Sequence, residues 1–225
     1  MSDIPASCTP TPSQSRSWPY PRLVHTITDR FSMANTYLIC EPRLVVVNPR
    51  SALNVHLLQD YMKNILHRPM SDIDLIVVTF LHSDVSSVLT SIRRISSAPI
   101  AAPKALYQQF EHHPYSPYAP QHVSFDGWLN DEKPLPDHPD WHTFAYPQRI
   151  EDNLFLYNAS TQELICGGGI TVFEGNPVLR YERDMGRRQL EDLLRLARGF
   201  DISYLYPSRG RQLLRTDPFA QVRID

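Results

Sequence analysis

The chain has 225 residues, 42% of them hydrophobic, enough apolar material for one large domain or two small ones with a sizeable core. A formal net charge of −2 and a pI near 6.5 provide no electrostatic footprint for nucleic acid or for a membrane surface. No apolar run approaches the ~20 residues that a membrane span needs, and the N-terminus lacks the apolar core of a secretory signal.

Residues 1–21 are rich in Ser, Thr and Pro and are expected to form a flexible tail, leaving 22–225 as a single domain. The segment NTYLICEPRLVVV at 35–47 reads as a hairpin: Tyr37–Cys40 is one strand, Leu44–Val47 the next, and Glu41-Pro42-Arg43 the turn. Leu53, Leu57, Leu58, Tyr61, Met62, Ile65 and Leu66 fall at helical spacing over 53–66. The run from Asp72 to Thr79 then ends in continuous apolar residues, the pattern of a strand covered on both faces. A short loop leads to a helix through Val88, Leu89, Ile92 and Ile95, and Ala98–Ala101 forms another strand. Pro103 fits the first turn of a further helix through Leu106 and Phe110.

Residues 112–141 are expected to be irregular, being rich in His, Pro, Tyr and Trp. Strands follow at 142–146, 153–157 and 162–166. Arg187–Arg198 is a strong helix with Leu190, Leu193, Leu194 and Ala197 on one face, and Gly199 is expected as its C′ stop. Its arginines alternate with acidic residues, as on a solvated face. Ile202–Tyr206 is a last strand. Hairpins alternating twice with helices argue for a layered α/β sandwich of two similar halves. The three cysteines (Cys8, Cys40 and Cys166) form no CxxC pair. Cys40 and Cys166 lie in apolar runs and read as small buried hydrophobes of a reducing, cytoplasmic compartment.

The strand–loop–helix at 74–95 carries the informative motif. Its turn reads Thr79-Phe80-Leu81-His82-Ser83-Asp84-Val85. This resembles the Thr-His-x-His-x-Asp-His signature of metallo-β-lactamase-fold hydrolases, with His82 and Asp84 matching and Phe80 and Val85 in place of the other two histidines. Four further segments fall into order with that family. NTYLI at 35–39 with VVVNP at 45–49 resembles its opening hairpin, which often ends in Asp-x-Gly. Tyr146-Pro147-Gln148-Arg149 resembles a Thr-Pro-Gly-His segment, Leu164–Gly168 a segment ending Thr-Gly-Asp, and Tyr206–Gly210 the final Pro-Gly-His-Gly. The resemblance spans roughly residues 23–212 and implies a four-layer αββα sandwich, two mixed sheets flanked by helices.

By this resemblance, the first metal's three histidines fall on Phe80, His82 and Arg149. The second metal's ligands fall on Asp84, Val85 and Arg209, with the bridging aspartate at Gly168. A catalytic zinc normally needs three protein ligands, and arginine stays protonated and cannot coordinate. The expectation is therefore no family-type metal pair, no cofactor, and no metal-bound hydroxide.

Arg149, Arg209 and Asp84 sum to roughly +1, close to an occupied dinuclear site, so the pocket can still attract an anion. Arg149 and Arg209 are thus candidates for binding a carboxylate or phosphate, or for a salt bridge with Asp84 that only fills the vacated space. His82, oriented by Asp84, is a candidate general base, or else an inert inherited histidine. Three functions stay open: a non-hydrolytic binding or interaction module for a small anionic ligand or a protein partner; an altered, metal-independent hydrolase, lyase or cyclase; and a mononuclear metal enzyme completed by His142 or His25. The stretch 107–122, with His112, His113 and His122, is either a lid or partner surface over the cleft or a plain Pro-rich loop. Gly167–Gly169 lacks the Lys-Ser/Thr of a phosphate loop.

Overall fold

A computed structural model describes residues 24–40, 42–80, 85–103, 124–145, 154–179, 187–220 and 222. The first half opens with strand β1 (Val24–Thr28), β2 (Asn35–Ile39) and β3 (Val45–Val47), each antiparallel to its predecessor. Helix α1 (Ala52–Asn64) starts at Ser51, whose hydroxyl accepts a bond from the Asn54 amide at 3.0 Å and so satisfies one of the first-turn donors. Strand β4 (Leu75–Val77), helix α2 (Val85–Ser96), β5 (Ile100–Pro103) and β6 (Gly127–Leu129) follow, with β3 to β6 parallel.

The second half runs β7 (Pro134–Leu135), β8 (His138–Ala145), β9 (Leu154–Asn158), β10 (Glu163–Ile165), the hairpin β11 (Ile170–Phe173) and β12 (Asn176–Leu179), helix α3 (Arg187–Arg198), β13 (Tyr204–Tyr206) and β14 (Leu213–Leu214). One six-stranded sheet has the order β1-β2-β3-β4-β5-β6, the other β14-β13-β10-β9-β8-β7. Both mix parallel and antiparallel pairs.

Strand alternation shows how these sheets stack. Leu38, Val46, Ile76 and Ile100 pack with Leu58 and Met62 of α1 and Leu89 and Ile92 of α2. Their chain neighbours Tyr37, Ile39, Val45, Val47, Leu75, Val77 and Ala101 face the other way, against Trp141, Leu154, Leu156, Ile165 and Tyr206 of the second sheet. That sheet's outer face, with Phe155, Leu164 and Leu205, packs on Leu193 and Ala197 of α3. Three apolar cores therefore separate four layers in the order helix, sheet, sheet, helix. Because β4 lies in the middle of its sheet, Leu75, Ile76 and Val77 are all buried, as its continuous apolar run predicts.

The halves are also stitched by polar contacts. His138 is buried, with Nδ1 3.0 Å from the Pro136 carbonyl and Nε2 2.9 Å from the Arg43 carbonyl. Arg43 itself pairs with Asp137 at 3.1 Å on the surface.

Several sequence expectations need correction. Pro103 ends β5, paired with Leu129, at a strand terminus where its missing N–H removes little from the ladder, while the helix expected through Leu106 and Phe110 lies outside the described residues. The segment 112–141 is not wholly irregular, because β6, β7 and the first part of β8 lie in it; their short runs are interrupted by Pro and Asp and carry no clear alternation. Gly199 follows α3 directly, but Gly175 and Gly210 are the glycines with positive φ among the described residues, so Gly199 is no left-handed cap. The hairpin β11–β12 is an addition. It turns at Glu174 (φ 47°) and Gly175 (φ 77°), both left-handed as a two-residue hairpin turn requires.

Candidate functional site

Parallel neighbours bring strand ends to one edge of the sandwich. Four segments meet there: Asn48-Pro49-Arg50 after β3, Thr79-Phe80 after β4, Cys166–Gly168 after β10, and Pro207–Arg209 after β13. Buried side chains fix them. The Asn48 amide donates to Thr79 Oγ1 at 2.7 Å, and Asn48 Oδ1 accepts from the Thr79 backbone N–H at 2.8 Å. Asn48 has a φ of 54°, a conformation asparagine tolerates better than most residues. The Leu154 N–H donates to the Thr79 carbonyl at 2.9 Å, tying the two sheets together at this edge.

Asn35, at the start of β2, anchors the last segment. Its N–H donates to the Ser208 carbonyl at 3.0 Å, and its side-chain amide donates to the Pro207 and Gly210 carbonyls, both at 2.9 Å. Tyr37, fully buried, donates its hydroxyl to the Pro207 carbonyl. Ser208 Oγ donates to the Ile170 carbonyl at 2.9 Å, and Gly210 packs so tightly that a Cβ would lie 2.1 Å from the Val172 carbonyl oxygen.

Two arginines occupy this edge. Arg50 is buried, with its guanidinium carbon 4.7 Å from the centre of the Phe80 ring and Nη1 donating to the Ser208 carbonyl at 3.4 Å. The flat, weakly hydrated guanidinium suits such a stacked position. Arg209 is partly buried, and its Nε is enclosed without a hydrogen-bond partner among the described residues. Buried N–H groups normally find an acceptor, so this donor marks a place where one belongs.

Two buried acid–base groups are described at this edge, Cys166 and Tyr37. Burial pushes the Cys166 thiol well above its ordinary value. Burial, reinforced by Cys166, does the same to the Tyr37 phenol. Both stay protonated near neutrality, so neither is an activated nucleophile.

Of the sequence-derived candidates, Arg209 lies at this edge, while His82, Asp84 and Arg149 fall outside the described residues, as do His112, His113 and His122. His25 is on the far side of its sheet, its Nδ1 2.7 Å from the Tyr61 hydroxyl of α1. His142 shares the outer face of β8 with Phe144, opposite the inter-sheet residues Trp141 and Ala145. Alternation therefore turns both fallback metal ligands toward the helix layers and away from the strand ends. The sequence reading missed Arg50. Its signal was the triplet Asn48-Pro49-Arg50 standing where the resemblance puts Asp-x-Gly.

The described positions that would carry metal ligands do not fit a metal. Phe80 offers a ring with no lone pair, Gly168 has no side chain, and Arg209 is a cation. Among the described residues no group of three or more His, Cys, Asp and Glu side chains is placed to hold an ion.

No family model matches the sequence, and no curated protein matches it. Solved structures do match by shape. A metallo-beta-lactamase family protein from Thermus thermophilus aligns with a TM-score of 0.65 at 12% identity, over 88% of this chain and 76% of its own. A metallo-beta-lactamase from Pontibacter korlensis gives 0.62 at 13% identity, over 84% of this chain and 87% of its own. A motif mutant of a metallo-beta-lactamase from Cronobacter sakazakii gives 0.61 at 13%, over 87% and 79%. At such identities the likeness speaks for architecture, and together with the two mixed sheets between helix layers it identifies the chain as a protein of the metallo-β-lactamase fold.

Proposed function

We propose that this protein uses the metallo-β-lactamase fold without its dinuclear metal centre, as a non-hydrolytic module that binds a small anion in an arginine-lined cleft. The observation that carries the reading is the pair of arginines at the strand ends, one of them on an expected ligand position. Arg50 is stacked on Phe80, which holds one expected ligand position, and Arg209 stands at another with an enclosed Nε that has no partner among the described residues. Such a donor is satisfied by an oxyanion, and a charge-assisted bond to one is about twice as strong as a neutral bond. Arg149 is proposed as the second arm of the clamp, with Asp84 setting the charge balance and His82 lining the cleft. The protonated Tyr37 and Cys166 support a binding role over covalent catalysis.

The test combines metal content with anion binding. Protein grown with zinc, iron and manganese available is expected to contain metal well below one equivalent per chain. Orthophosphate, titrated while the Arg209 Nε–H resonance is followed by NMR, is expected to shift that signal, and Arg209→Gln is expected to lose the binding. Stoichiometric metal, or hydrolysis of thioester, lactam or phosphodiester substrates, would return the protein to the enzymes of this fold. An Arg209 signal indifferent to orthophosphate would remove the clamp.

A further inference from the structure

A second cavity lies beside, but does not include, the strand-end arginines. It opens at the seam where edge strand β1 of one sheet meets the chain leading into edge strand β14 of the other. Its volume is about 490 Å³, and Thr26, Thr28, Arg30, Met33, Arg211 and Gln212 are among its lining residues. That size lies within the ~300–1,000 Å³ typical of small-molecule sites.

Its chemistry is one-sided. Among the described residues, two guanidiniums and no carboxylate line it. Arg30 and Arg211 are exposed, and neither forms an ion pair among the described residues. The nearby Asp29 carboxylate is turned into its own loop, accepting from the Phe31 N–H at 2.9 Å and the Ser32 hydroxyl at 2.8 Å, and forms no ion pair with either arginine.

The hydroxyls are differentiated by their partners. The Gln212 side-chain amide donates to Thr26 Oγ1, which leaves the Thr26 hydroxyl proton to be given away. Thr28 spends its proton on Asn35 Oδ1 at 2.8 Å and keeps lone pairs toward the cavity. The rim therefore presents two cations, one hydroxyl donor and one hydroxyl acceptor. The matching ligand carries a dianionic oxyanion together with an O–H of its own.

We propose that this seam is a binding site for a small hydroxylated phosphate monoester. The two arginines neutralise the phosphate, Thr26 donates to one of its oxygens, and Thr28 accepts from a ligand hydroxyl. The site is independent of the strand-end clamp, since neither Arg50 nor Arg209 lines it.

Glycerol 3-phosphate is the probe, titrated into the full chain by calorimetry with glycerol and orthophosphate as references. Glycerol 3-phosphate is expected to bind more tightly than orthophosphate, and glycerol not at all. Arg30→Gln and Arg211→Gln, both at exposed positions that tolerate exchange, are each expected to weaken binding by about 2–5-fold, the range for one exposed ion pair. Thr26→Val, which keeps the shape and removes the donor, is expected to cost about 3–10-fold. Arg209→Gln, which removes the strand-end site, is expected to leave glycerol 3-phosphate binding at the seam, where Arg30→Gln and Arg211→Gln still weaken it. Absence of binding at millimolar probe, or full affinity in the Arg30→Gln/Arg211→Gln double variant, would overturn the site. Loss in Arg209→Gln alone would place the ligand in the strand-end cleft instead.

Discussion

Replacing Gly210 by alanine probes the segment on which both anion sites depend. Gly210 has a φ of +89°, and a Cβ there would sit 2.1 Å from the Val172 carbonyl oxygen and 3.0 Å from its carbon. A left-handed conformation costs a residue with a Cβ about 1–2 kcal/mol. The contact is with backbone, so no side-chain rotation relieves it, and the 208–210 segment has to move. That motion strains three hydrogen bonds: Gly210 N–H to the Met33 carbonyl at 3.0 Å, the Asn35 amide to the Gly210 carbonyl at 2.9 Å, and Val172 N–H to the Arg209 carbonyl at 2.9 Å. At about 1 kcal/mol for each bond weakened or lost, the expected destabilisation is about 3–5 kcal/mol. Urea unfolding followed by the fluorescence of buried Trp141 would measure it, with an unchanged m-value showing that the two-state comparison holds. A loss under about 1 kcal/mol would show that the segment relaxes freely, and the geometric argument for both sites would fail with it.

Three further perturbations test other parts of the reasoning. Asn48→Ala removes the side-chain bonds to Thr79 and puts alanine at a φ of 54°, so a loss of about 2–4 kcal/mol is expected from the same urea titration; near-wild-type stability would refute the claim that Asn48 holds the strand ends together. Burial raises the Asp29 carboxyl, but hydrogen bonds from Phe31, Ser32 and Ser51 outweigh it and hold the net value below the ordinary 3.8. Its ionised form therefore stabilises the fold above the unfolded value, and that contribution disappears as pH falls through the lowered folded value. Wild type should accordingly lead Asp29→Asn in stability at neutral pH, with the gap closing only below pH 3.8; a gap independent of pH would refute this. Cys40 and Cys166 are buried, so alkylation mapped by mass spectrometry should leave both unmodified in native protein and label them on unfolding, and rapid native labelling of Cys166 would contradict its enclosure.

The opening hairpin, α1, the doubly covered β4 and α3 were legible because each has a long or clean apolar period. The segments β6, β7 and β11–β12 were not, because two- to four-residue strands contain too few positions to establish alternation, and their pairing partners decide them. The family resemblance put Phe80, Gly168 and Arg209 on expected ligand positions, and the structure places all three at the strand ends. Arg50 was not: nothing local distinguishes it from a surface arginine, and its burial follows from the meeting of β3, β4 and the Ser208 segment. His25 and His142 show the converse. Both remained possible ligands on residue type alone, and strand alternation turned them to the helix layers.

The sequence by itself pointed to a layered α/β sandwich, since apolar periodicity dictates which faces must be covered, and the family resemblance supplied its four layers and the expectation of replaced ligands. Only the tertiary structure decided which cations come together in the proposed sites. Arg50 and Arg209 are separated by more than half of the chain, and Arg30 and Arg211 by more still, so each pair exists only because two sheets stack with their strand ends and edges in register. The positive potential of such a cleft is a property of distance, and distances between remote residues are set by the packing of whole layers.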